Sequence, residues 1–283
     1  MIAILGGLTA AAMWAISTLC TSRSSRMIPP VSILAFVLVI GTVISSPFAL
    51  AGGVPEGFGG EHVAWLLVTA TGNTLGLLFA YSSLRFGKVG VVAPITSAQG
   101  TAAAVIAVIA GEQIAPGAGV TLGFIVTGIV LSSMAKSPDT DGARRAGVAV
   151  SFAIGAALCF GLGLYAMGRL GEDLPVAWII FPSRLLAVVA LTVPLALLGR
   201  LRMTRESLPL VLASGLLEVL GLVVYNLGAR HGIAVAAILS SQFAAMAAVA
   251  AYFLFRERLA RMQVAGVAVI AVGVAVLTGL QVS

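Results

Sequence analysis

Five polar side chains stand deep inside otherwise apolar stretches of this sequence: Asn73, Gln99, Arg184, Glu218 and Gln242. An arginine and a carboxylate can neutralise each other or hold the opposite charges of a ligand, and Glu218 can also carry a proton or a cation. The three amides each offer a hydrogen-bond donor beside an acceptor. No signature of covalent chemistry accompanies them, since the chain has neither an HExxH pair nor a GxxxxGK[ST] phosphate loop. Cys20 and Cys159 lack CxxC spacing and read as small buried hydrophobes, and His62 and His231 lack the neighbours of a metal site. The chemistry on offer is binding; no cofactor, metal or catalytic residue is expected.

The elements that must position these residues follow from composition. Of the 283 residues, 60% are hydrophobic and only 9% charged, against about 25% charged in an average soluble domain. A mean hydropathy of +1.11 places most of the surface in hydrocarbon, where backbone polar groups are satisfied only within helices or a closed barrel. The apolar runs have the length of about 20 residues that a membrane helix needs, rather than the alternating segments of about ten that build a barrel. Charged, Pro and Gly clusters divide them into ten spans: 2–20, 31–51, 63–84, 88–111, 117–135, 147–168, 175–198, 208–229, 233–255 and 261–280. The connections are short, which leaves no room for an appended soluble domain. Met1 to Gly6 has no basic residue, so the first run reads as a retained span rather than a secretory signal.

The net charge of +6 does not point to nucleic acid, because the basic residues are sparse and sit in the connections. One side would carry Arg23, Arg26, Arg85, Lys88, Lys136, Arg144, Arg145, Arg200, Arg202, Arg205, Arg256, Arg258 and Arg261. The other would carry only Arg169 and Arg230. Cytoplasmic loops attract Lys and Arg, so this bias predicts both termini outside.

A single offset relates the two halves. Adding 145 carries Pro30 to Pro175, Asn73 to Glu218, Gly76 to Gly221, Arg85 to Arg230, Gly87 to Gly232, Glu112 to Glu257 and Gly128 to Gly273. Arg and Glu are too rare here for such matches to be cheap. The unit is five spans long, and an odd count makes the second copy enter the membrane from the opposite side, which predicts an inverted repeat. The chain then divides into 1–136, a linker at 137–146 containing Pro138, Asp139 and Asp141, and 147–283.

Ten spans as five plus five, Gly111-Glu112 closing the fourth, and Arg256-Glu257-Arg258-Leu259 followed by Gly266 and Gly273 together resemble the drug/metabolite transporter superfamily of EamA type. Trp14, Val92-Ala93-Pro94 and Arg184 fit the same pattern, while Ala15, the lack of an Arg in span two and the position of the basic loops depart from it. The resemblance implies an all-α integral membrane protein that moves small organic metabolites by alternating access. It also implies export across a bacterial inner membrane, by a monomer or homodimer whose partners are a small-molecule substrate and the bilayer.

On that reading the substrate site comprises Trp14, Asn73, Gln99, Arg184, Glu218, Tyr225 and Gln242, with Glu218 as the coupling group. A charge at mid-depth costs at least about 2.5 to 3.5 kcal/mol on insertion scales, so Arg184 and Glu218 should be paired or face a wet cavity. They lie on consecutive antiparallel spans at depths about 7 Å apart, within reach of an Arg side chain. A structural ion pair and a functional one both satisfy this. Glu218, Gly221 and Tyr225 recur on one helical face, and Asn73, Gly76 and Tyr81 follow a similar course in the first half. The amides and Trp14 read as ligand contacts or as packing groups. Pro94 is a hinge or a packing kink; Glu112 and Glu257 are gates or turn-stabilising groups; Trp65 and Trp178 read as interfacial anchors. An amphipathic solute or a zwitterion such as an amino acid suits this set, with protons as coupling ion or with simple equilibration. A membrane-embedded enzyme acting on lipid-linked groups and a channel are the rival classes.

Overall fold

The computed structural model describes residues 2–110, 127, 140–171, 173–229, 240, 243–256 and 261–280. Among these residues every regular element is helical. The helices are α1 (Ile2–Ser24), α2 (Pro30–Ala51), α3 (Gly60–Phe86), α4 (Val89–Ser97), α5 (Gln99–Ile109), α6 (Thr140–Gly171), α7 (Val176–Ala187), α8 (Val193–Leu197), α9 (Leu208–Ala229), α10 (Phe243–Phe255) and α11 (Arg261–Leu280). Among the described residues six segments are long and apolar enough to cross a bilayer: Leu5–Ser24, Pro30–Gly52, Gly60–Phe86, Arg144–Gly171, Val176–Leu197 and Leu208–Tyr225. Met246–Phe255 and Val264–Gly273 are shorter apolar helices. The expected span at 117–135 lies outside the described residues, apart from Thr127.

The helices are apolar on both faces, as lipid demands. In α2, Ile33, Leu34, Val37 and Leu38 are sealed in the interior, whereas Val43, Phe48 and Leu50 are exposed. Its start follows from Pro30 at the first helical turn, where the missing N–H removes no bond. The chain from Thr140 onward is helical, so residues 140–146, expected within the linker, form the first turns of α6.

Two expected spans are interrupted, each beside a proline. The run 88–111 divides at Ala98 into α4 and α5. Pro94 has no N–H to donate, and Thr96 and Ser97 turn their hydroxyls back onto the carbonyls of Val92 (2.9 Å) and Pro94 (2.7 Å), a bonding habit that bends helices. The run 175–198 passes from α7 through a π-helical stretch, Val188–Thr192, into α8. Pro194 cannot donate to the carbonyl one turn earlier, and a wider turn accommodates its ring.

The most extensive pairings cross between the halves. α1 packs along α9, and α3 along α6; α2 lies against α7, and α4 against α10. Glycine makes the closest of these contacts. A Cβ at Gly72 would stand 2.8 Å from the Cys159 carbonyl oxygen and the Gly163 nitrogen, so α3 and α6 meet backbone to backbone. One core cluster joins α1, α4, α6 and α10 around Val89, Ile95, Ala153 and Ala247; a second joins α2, α3, α7 and α9 around Leu34, Leu77 and Val211. Between them lies a cavity.

Candidate functional site

The cavity has a volume of about 210 Å³ and is lined from α1, α3, α4, α5, α6, α7, α9 and α10. Trp14, Asn73, Gln99, Arg184 and Glu218, all anticipated from the sequence, line it together. Arg184 Nη2 donates to Glu218 Oε1 at 2.5 Å. The Arg184 side chain is 4% exposed and that of Glu218 19%, so the two opposite charges meet inside the helix bundle. Arg184 Nη1 and Glu218 Oε2 are buried without a hydrogen-bond partner.

The backbone beneath the pair is built for it. Gly41 of α2 faces the arginine, and a Cβ there would lie 3.5 Å from both Cδ and Nε of Arg184 and 3.4 Å from Val219. Trp14 fixes the other partner: its Nε1 donates to the main-chain carbonyl of Glu218 at 3.1 Å. The indole lies over Gly221, where a Cβ would come within 2.5 Å of Nε1. Its ring is tilted against Tyr225 (6.1 Å between centroids) and edge-on to Phe243 (6.3 Å). Tyr225 therefore supports Trp14 and is not itself a lining residue.

Beside these, the α1 and α9 interface is held by hydroxyls. Ser214 Oγ stands 3.1 Å from Ser17 Oγ and 2.7 Å from Thr21 Oγ1, and Ser17 also donates to the Ser214 carbonyl (3.1 Å). Tyr81 reaches this cluster from α3, 5% exposed, with a hydroxyl that makes no hydrogen bond.

Pro94 is buried in α4 but lies behind the lining formed by Val92, Ala93 and Thr96. Gln242, Glu112, Glu257 and His231 lie outside the described residues. Trp178, expected at an interface, donates to the Ala49 carbonyl (3.1 Å) and so ties α7 to α2. Trp65 packs edge-on to Tyr165 (5.9 Å) beneath the Arg169 guanidinium (6.0 Å). His62 accepts from the Gly59 nitrogen through Nδ1 (3.1 Å) and approaches Asp173 at 3.5 Å through Nε2, linking the first turn of α3 to the α6–α7 connection. Both cysteines are free and half-buried. Among the described residues, no His, Cys, Asp and Glu cluster has metal-binding geometry.

Tyr81 and Phe160 also line the cavity, and Gly41 and Ser214 pack against lining residues, although none of the four is among the residues expected at the site. Tyr81 had a visible signal, a polar aromatic on the Asn73 and Gly76 course. Phe160 had one only in retrospect: its ring occupies the space over Gly76, where a Cβ would come within 2.5 Å, and Gly76 is the offset partner of Gly221.

With only helices among the described residues, six of them of membrane length and packed around a buried cavity, the chain is a multi-pass integral membrane protein. The model of the EamA-like transporter family matches residues 1–134 and 147–279, and the chain belongs to that family, within the drug/metabolite transporter superfamily. A search of curated proteins finds no match to this sequence. Among solved structures 22 chains match; one, described only as the crystal structure of a protein, is 19% identical and superimposes with a TM-score of 0.62 over 99% of this chain and 97% of its own. That likeness concerns the fold.

Proposed function

We propose that the protein is a secondary transporter that exports small organic metabolites, amino acids or amphipathic compounds, by alternating access around the Arg184 and Glu218 cavity. The observation that carries this reading is the ion pair itself: two charges held at the centre of a membrane protein, lining a cavity bounded by helices from both halves. Such placement is characteristic of substrate and coupling sites in this class of architecture.

Ten spans arranged as two inverted five-helix repeats, 1–136 and 147–283 about a linker at 137–146, form the frame of the proposal. Three observations support it. The family model matches in two stretches that correspond to those halves. The dominant pairings, α1 with α9 and α3 with α6, are exchanged when the halves are interchanged. Finally, Trp14 on Gly221 and Phe160 on Gly76 place an aromatic from the first helix of each half over a glycine of the other half's third helix. On this reading both termini face outward from a bacterial inner membrane, and the protein acts as a monomer or homodimer.

Glu218 is the group through which protons would couple. An equilibrating facilitator needs the same cavity but no titration. Reconstituted proteoliposomes separate the classes: uptake of a labelled solute saturates and responds to an imposed proton gradient for a coupled carrier, and saturates without that response for a facilitator. Conductance that never saturates would identify a channel, and turnover of a lipid-linked substrate an enzyme.

A further inference from the structure

The polar groups around the cavity are unequally available. The hydroxyls of Ser17, Thr18, Thr21, Thr69, Thr96 and Ser183 are all engaged, with backbone carbonyls or with Ser214. Arg184 and Glu218 are engaged with each other, and Arg184 Nη1, Glu218 Oε2 and the Tyr81 hydroxyl are buried. Asn73 and Gln99 differ: both line the cavity, both are half-buried, and neither side chain has a hydrogen-bond partner among the described residues. Among the described lining residues Arg184 and Glu218 are the one base and the one carboxylate, and they are paired with each other.

From this we infer that the cavity selects an uncharged, planar solute carrying a carboxamide or lactam edge, read by Asn73 and Gln99. The inference rests on the reading of this cavity as the transport site and narrows its substrate class to uncharged amides, which sets aside the zwitterionic amino acids of the broader reading. An amide side chain presents a donor beside an acceptor, and its best match is an edge presenting the same two groups in reverse, as when Asn or Gln pairs with the edge of adenine. A ligand with net charge would leave water for a cavity whose described charges are already paired with each other and whose unpartnered Arg184 Nη1 and Glu218 Oε2 are buried, so its desolvation would go uncompensated. A zwitterion would add two more charges at the same cost. Trp14, Phe160 and Phe243 supply aromatic walls for a flat solute. A volume of about 210 Å³ corresponds to about seven waters at ~30 Å³ each, the scale of a single substituted ring.

An isosteric series tests this on the purified full-length protein in detergent. Benzamide, benzoate, benzamidinium and acetophenone share one shape and differ in head: neutral donor and acceptor, anion, cation, and neutral acceptor alone. Phenylglycine adds the zwitterion. Thermal unfolding should shift upward, saturably, with benzamide and not with the other four. Asn73→Leu and Gln99→Leu, each first checked for an unliganded transition, should weaken benzamide about tenfold, the loss of about one neutral hydrogen bond; if one of them fails to fold, the other carries the test. Saturable stabilisation by benzoate, benzamidinium, acetophenone or phenylglycine overturns the inference. So does the absence of any benzamide shift, or a shift that neither variant alters. Proteoliposome counterflow keeps the two readings apart. Saturable flux of a charged or zwitterionic solute sinks the amide selectivity while transport stands; benzamide binding without saturable flux of any solute sinks transport while the amide site stands.

Discussion

The indole of Trp14 donates its one hydrogen bond to the main-chain carbonyl of Glu218, across a helix surface that Gly221 leaves bare. A residue of the first membrane helix thereby sets the height and rotation of the turn that carries the buried carboxylate. Trp14→Phe keeps an aromatic ring and removes only the donor. Because that carbonyl lies within a helix and has a second claimant, the expected loss is about 1 kcal/mol, read from denaturation in detergent. Trp14→Ala, which also empties the ring's volume, should lose about 3 to 5 kcal/mol.

Gly221→Ala places a methyl within 2.5 Å of the indole nitrogen, in a ring also bounded by Tyr225 and Phe243. The expected destabilisation is about 1 to 3 kcal/mol. Combined with Trp14→Leu, the loss should be smaller than the sum of the two single losses, since the clash vanishes with the indole. A double-mutant cycle that is additive would show that the two helices adjust independently.

Removing one partner of the ion pair leaves the other buried and charged. Arg184→Met should destabilise by about 3 to 5 kcal/mol, and Arg184→Met with Glu218→Leu should recover most of it. Glu218→Gln keeps shape and hydrogen bonding. It should fold, and it should lose or uncouple flux in proteoliposomes if the carboxylate serves transport; unchanged flux would leave the pair a structural one.

Gly41 gives Arg184 its passage between helices. A single added methyl meets Cδ and Nε at 3.5 Å, ordinary van der Waals contact, so Gly41→Ala should be tolerated within about 0.5 kcal/mol. Gly41→Leu drives the guanidinium away from Glu218. That variant should lose about 1 to 3 kcal/mol together with flux, the latter assayed at equal reconstituted protein.

In the first turn of α3, His62 satisfies the Gly59 amide, whereas its partner Asp173 is 66% exposed. His62→Ala should therefore cost about 0.5 to 2 kcal/mol, in the range of a lost helix cap. Asp173→Asn should cost no more than about 1 kcal/mol, as exposed pairs do. Unfolding transitions of the two variants side by side give the comparison.

Charge scarcity made the pair legible before any coordinates. Arg184 and Glu218 were conspicuous because hydrocarbon tolerates few ionised groups, and helical rise alone brought them within reach of each other. Asn73 and Gln99 stood out for the same reason. Gly41 did not, because its role is an absence, and one missing Cβ among 33 glycines carries no mark of which side chain it admits. Phe160 was one apolar residue among many, and only the partner helix reveals that its ring lies over Gly76. The breaks at Ala98 and at Val188–Thr192 show the other limit. Hydropathy registers the length of an apolar run and is blind to the prolines that divide its hydrogen-bond ladder.

The crossed pairing of helices has a consequence for biosynthesis. The surface of α1 that carries Trp14, Ser17 and Thr21 finds its partners on α9, and α9 begins only at Leu208. At a synthesis rate of about 5 to 20 residues per second, the first helix waits on the order of ten seconds or more in the membrane with those polar groups unmatched. Synthesis of the first half alone therefore produces a set of helices whose closest companions do not yet exist. The nascent chain depends on the translocon or on transient neighbours to shelter α1 until its second half arrives.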